Sequence, residues 1–94
     1  MLLGKKHKSP TDRKRYVIDY SDWLDTGETL ATVTYEVDVG TATVDGDALA
    51  GDNLSAIFFI NGGEIDTPFS VIVTATTSVG QVKNDHIEFV VVAP

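Results

Sequence analysis

The sequence predicts an all-β fold, an immunoglobulin-like β-sandwich of six to seven antiparallel strands with an extended N-terminal arm. Three observations carry this expectation. Apolar residues alternate with polar ones at period two, turn formers recur about every ten positions, and no segment sustains the 3.6-residue period of a long helix. Strict alternation marks a strand with one face on a core and the other in water. One domain is expected along the 94 residues, the sandwich over 16–94, preceded by a basic extended arm over 1–15. The sandwich is near the lower size limit for a self-sufficient core. There is no cysteine, so no disulfide staples the fold, and the Cys–Trp–Cys signature of antibody domains is missing.

The arm is set apart by charge. Residues 1–15 hold Lys5, Lys6, Lys8, Arg13, Lys14 and Arg15 against Asp12 alone, whereas the remainder holds thirteen acids against Lys83. A basic segment on an acidic body points to docking, either on the acidic face of a neighbouring copy or on another acidic partner. The plain alternative is a solvated tail, because exposed ion pairs are worth only about 0–1 kcal/mol each. Between Gly4 and Lys14 the only residues without a polar side chain are Gly4 and Pro10, so the arm is expected to be mobile until bound.

Tyr16–Tyr20 reads as the first strand, with Tyr16, Ile18 and Tyr20 on one face. The following Ser21–Gly27 is too short and too rich in turn formers for a stable helix, but a single turn could let Trp23 and Leu24 plug the end of the sandwich. From Thr29, Ala31, Val33, Tyr35, Val37 and Val39 form the inward face of a second strand. Ala42 and Val44 mark a short third strand, ended by Asp45-Gly46-Asp47. Residues 54–60 are apolar on nearly both faces, which marks a central strand carrying Phe58. Two β-branched runs, Phe69–Thr77 and His86–Val92, should pair as a hairpin across a connector from Ser78 to Asp85. Their inward residues are Phe69, Val71, Val73 and Ala75 on one strand, and Ile87, Phe89 and Val91 on the other.

Candidate chemistry is sparse. His7 lies in the arm and His86 on a polar strand face, neither with a catalytic companion nearby in sequence. None of the serines sits in a Gly-x-Ser-x-Gly elbow, so no catalytic residue is expected. Asp45, Asp47, Asp52 and Asn53 supply oxygens that suit calcium, but they lack the terminal bidentate glutamate of an EF-hand loop, and acid–glycine turns commonly connect strands; no metal site is expected. Nucleic acid is not an expected partner, since the body is acidic and the basic segment lacks interleaved aromatics. Met1-Leu2-Leu3 runs straight into Gly4-Lys5-Lys6, too short for a secretory apolar region, and no run approaches membrane-spanning length. A soluble chain with no membrane partner is expected.

Residues 16–30, Tyr-Val-Ile-Asp-Tyr-Ser-Asp-Trp-Leu-Asp-Thr-Gly-Glu-Thr-Leu, resemble the opening of small tailed-bacteriophage virion proteins described as fibre-tail adaptors. In these a strand leads through a Trp-Leu turn to the next strand. Residues 73–82, Val-Thr-Ala-Thr-Thr-Ser-Val-Gly-Gln-Val, resemble their penultimate strand and its glycine-containing hairpin. With the basic segment before Tyr16, the resemblance spans nearly the whole chain. It implies a structural virion protein, made in the host bacterial cytoplasm, that joins tail or neck to fibres through contacts with other virion proteins and with copies of itself. It implies no enzyme and no cofactor. Two other functions fit such a module: decoration of the phage head, and binding of carbohydrate or a host surface. The last would need exposed aromatics, whereas Tyr16, Trp23 and Tyr35 are expected in the core.

Overall fold

A computed structural model describes residues 2–93; Met1 and Pro94, which open the expected arm and close the expected domain, lie outside the described residues. Seven strands follow in order: β1 (Leu2–Lys8), β2 (Arg13–Asp19), β3 (Leu30–Val37), β4 (Thr43–Leu49), β5 (Ser55–Asn61), β6 (Phe69–Thr77) and β7 (Val82–Val91). They form a four-stranded sheet, β1-β7-β6-β3, facing a three-stranded sheet, β2-β5-β4. Among the described residues there is no helix. Every strand pair is antiparallel except β1 with β7, which is parallel.

The inner faces make the core. Phe58 and Ile60 of β5 meet Phe69, Val71 and Val73 of β6 and Ile87, Phe89 and Val91 of β7, all buried. Half-buried Tyr16, Ile18, Val33, Tyr35 and Val37 pack around them. Aromatic rings thread the centre: Phe89 stacks on Phe69 with centroids 5.1 Å apart and meets the edge of Tyr16 at 5.3 Å, while Tyr35 lies 4.7 Å from Phe58. A second cluster of Tyr20, Leu30, Ala56 and Ala75 closes one end, with Trp23 and Leu24 packed on it. Those two sit on one turn in which the amides of Trp23 and Leu24 both donate to the Tyr20 carbonyl at 3.0 Å. Glu28 pins this turn to the β6–β7 hairpin. Its carboxylate accepts the Thr77 hydroxyl at 2.6 Å, the Asp25 amide at 3.0 Å and the Gln81 side-chain amide at 3.1 Å. These donors hold its pKa below the ordinary 4.5, the Thr77 hydroxyl contributing most.

Three sequence expectations need correction. Residues 1–15 are not a mobile arm: β1 lies along β7 and Arg13–Arg15 begin β2, so the boundary expected after Arg15 cuts a strand. Main-chain pairing needs no apolar side chains, and lysines are common on edge strands, where they discourage further pairing. The strand after Thr29 does not keep one phase. A bulge between Leu30 and Thr32 shifts the register, so Leu30 is buried and Ala31 is exposed, while Val33, Tyr35 and Val37 face inward; Val39 is exposed because it lies beyond the end of the strand. Asp45-Gly46-Asp47 does not end a strand either; it lies inside β4, at an irregularity between Asp45 and Ala48. Gly46 takes φ +58°, and a Cβ there would meet the Phe59 ring at 2.8 Å, so the position requires glycine.

Candidate functional site

The outer face of the three-stranded sheet departs from the pattern of a solvated face. Along β5, buried Ala56, Phe58 and Ile60 alternate with half-buried Ile57 and Phe59, which therefore project outward. Register places Val17 of β2 and Ala48 of β4 on either side of Ile57, and Arg15 and Asp45 on either side of Phe59. Val17 is 50% exposed. The result is a small apolar patch, Val17–Ile57–Ala48 with Phe59, whose β2 margin is basic.

Arg13 bridges that patch. Its guanidinium lies 4.1 Å from the centroid of the Phe59 ring and donates to Asp45 Oδ1 through Nη2 at 2.7 Å and Nε at 3.1 Å. Ring and carboxylate together fix a long side chain that would otherwise be free to rotate. Half of the Arg13 side chain stays in solvent, so the pair organises the surface more than it stabilises the fold.

The six basic residues singled out in the sequence separate in space. Lys5 and Lys6 are exposed on β1, and Arg13, Lys14 and Arg15 are exposed on β2. Lys8 is only 3% exposed and does not join them. Its ammonium donates to the carbonyls of Ser9 at 2.6 Å and of Gly62, and the Lys8 carbonyl accepts the Val92 amide. Burial lowers its pKa, partly opposed by nearby Asp12. Lys8 is thus a clasp between the β1 end, the β5–β6 connection and the end of β7.

His7 is exposed on β1, and His86 lies half-buried on β7 beside Ile72 of β6. Of the aspartates weighed for calcium, Asp45 is paired with Arg13, and Asp52 Oδ1 accepts the Leu54 amide in a turn. Among the described residues no group of three or more His, Asp or Glu side chains is placed to hold a metal ion. Trp23 is half-buried, edge-on to Tyr20 with the Lys83 ammonium 5.9 Å from its ring, and Tyr20 is fully enclosed, its phenol pushed up to about 12 by burial and by Asp85.

The outward apolar residues were the part of this surface that sequence reasoning missed. Their signal was present in the two-sided apolar pattern of 54–60, which fits a strand central to its sheet but equally leaves an apolar outer face when only one side is covered.

The sequence matches the family described as podophage GP4 fiber-tail adaptor protein gp77 over residues 8–90, nearly the whole length of the chain. None of the curated proteins compared with the chain matches it. The matched stretch contains β2 to β6, most of β7, the Trp23 turn, Glu28 and the whole of the outward patch. The chain belongs to the podophage fibre-tail adaptor family, and is accordingly a structural adaptor of a bacteriophage virion that binds other virion proteins.

Proposed function

We propose that this protein joins the tail or neck of the particle to its fibres, and that the outer face of the β2-β5-β4 sheet is a surface on which another virion protein docks. The observation that carries this is the outward placement of Ile57 and Phe59 beside exposed Val17, on a sheet face over which the described residues lay no second layer. Arg15 on the margin, and Arg13 held over Phe59, favour a partner that presents carboxylates around an apolar centre. Rigid strands present the patch, so little ordering accompanies docking. A carbohydrate-binding role has less support, because Tyr16, Trp23 and Tyr35 pack against the core and Phe59 is covered by Arg13.

Phage carrying Val17→Ser with Ile57→Ser tests the proposal. The purified variant domain should keep its β-sheet circular dichroism, while mass spectrometry of purified particles should find it depleted together with the fibres. Incorporation at the wild-type level, with fibres retained, would contradict it. Deleting residues 1–15 is a poor substitute, since it removes β1 and the first three residues of β2.

A further inference from the structure

Each sandwich edge brings together one strand from each sheet. β1 and β2 share one edge, where Leu3 and Lys6 of β1 face Tyr16, Val17, Ile18 and Asp19 of β2 across a cleft of about 250 Å³. β3 and β4 share the other, where Ala31, Val33 and Tyr35 face Asp47, Ala48 and Leu49 across a cleft of about 210 Å³. Both clefts are lined largely by apolar side chains.

Their charges are opposite. The β1–β2 edge exposes Lys5, Lys6, Lys14 and Arg15, while the β3–β4 edge carries Glu36, Asp47 and neighbouring Asp38; its own strands hold no lysine or arginine, and the one arginine that reaches it, Arg13, is neutralised by Asp45. Strand direction is compatible as well. The pairings make β1 and β3 parallel to each other within the large sheet, and β2 and β4 parallel within the small one. A second copy displaced sideways therefore brings β1 of one against β3 of the next and β2 against β4, with basic side chains meeting acidic ones along both sheets.

We infer that the partner of these edges is a second copy of this chain, bound head-to-tail through the basic β1–β2 edge of one copy and the acidic β3–β4 edge of the next. Such a contact is heterologous: each copy keeps one edge of each kind for a further neighbour, and the series closes into a ring or runs on as a filament according to the rotation between copies. The lysines on β1 and β2 then have a double role. They block indiscriminate edge pairing of like with like, and they select the acidic edge. The inference concerns contacts between copies and stands independently of what docks on the β2-β5-β4 face.

Sedimentation and native mass spectrometry of the full 94-residue chain test it. At low salt and concentrations up to about 0.5 mM, where weak interfaces of ordinary size become populated, the wild type should form species larger than dimers. Raising salt from about 0.05 M to 0.5 M should weaken association about tenfold or more, because the Debye length shrinks to a few ångströms. Lys6→Glu with Lys14→Glu should abolish self-association, as should Glu36→Lys with Asp47→Lys. Mixed together, the two double variants should regain association and assemble in alternation, because their wild-type edges match each other and the two reversed edges are complementary as well. Circular dichroism confirms that each variant is folded. A wild type that stays monomeric at low salt, an assembly indifferent to salt, or charge variants that assemble like the wild type would overturn the inference.

Discussion

Ile57 and Phe58 are neighbours on β5, yet the fold assigns them opposite roles, and exchanging each for a smaller residue measures that difference. Phe58 is fully enclosed, with its ring 4.7 Å from Tyr35 and 5.8 Å from Tyr16. Phe58→Ala removes a buried ring whose neighbours are held by two sheets and relax only partly, which costs about 3–5 kcal/mol. At roughly 0.05–0.15 kcal/mol per residue, a domain of this length holds about 5–14 kcal/mol in all. Each kcal/mol moves the melting temperature of a domain this small by about 4–8 °C, so Phe58→Ala should lower it by more than about 12 °C. Ile57→Thr acts on the outer face, where the isoleucine is half in water and threonine keeps the β-branched shape. Its expected cost is below about 1 kcal/mol. Thermal melts and urea titrations of the two purified variants read the contrast directly. Equal losses of stability would refute the assignment of faces on β5, and with it the docking surface.

Other substitutions probe single contacts. Because the fold favours the ionised form of Glu28, its contribution is complete above its ordinary 4.5 and is lost as pH falls through the lowered folded value; the stability gap between wild type and Glu28→Gln should therefore narrow below pH 4.5, whereas a gap constant from pH 7 to pH 3 would show that the carboxylate charge contributes nothing. Gly46→Ala should cost about 1–2 kcal/mol for the left-handed backbone plus the displacement of Phe59, and so more than Gly27→Ala, which carries φ +80° with open space around it; equal costs by denaturant titration would contradict the close approach. Arg13→Ala should change stability by no more than about 1 kcal/mol, since half the side chain is solvated, yet should reduce incorporation into particles; a large loss of stability with normal incorporation would reverse the role given to Arg13.

Much of the fold was legible because burial on one sheet face imposes period two. β6 and β7 show it most fully, with Phe69, Val71, Val73 and Ala75 and then Ile87, Phe89 and Val91 all buried. The start of β7 was less visible, since Val82 to Asp85 mixes exposed and buried polar residues and resembles a turn, although the strand begins at Val82. β3 hid its first residue because a bulge changes phase without leaving any mark in composition. β1 hid entirely: its partner is reached through main-chain bonds and its side chains are mostly lysine, histidine and glycine. The site was harder to find than the core. Charge segregation was plain in the sequence, but where the charges lie depended on pairing β1 and β2 into different sheets, which no local pattern encodes. The meaning of Ile57 and Phe59 likewise depended on how many faces of their sheet are covered.

The most direct measurement is a density map of the assembled virion in which this chain is traced at side-chain level. The outer face of β2-β5-β4 should be covered by a different virion polypeptide, with Ile57, Phe59 and Val17 at the centre of the contact and carboxylates opposite Arg15. A chain held in the particle with that face open to solvent would contradict the central claim.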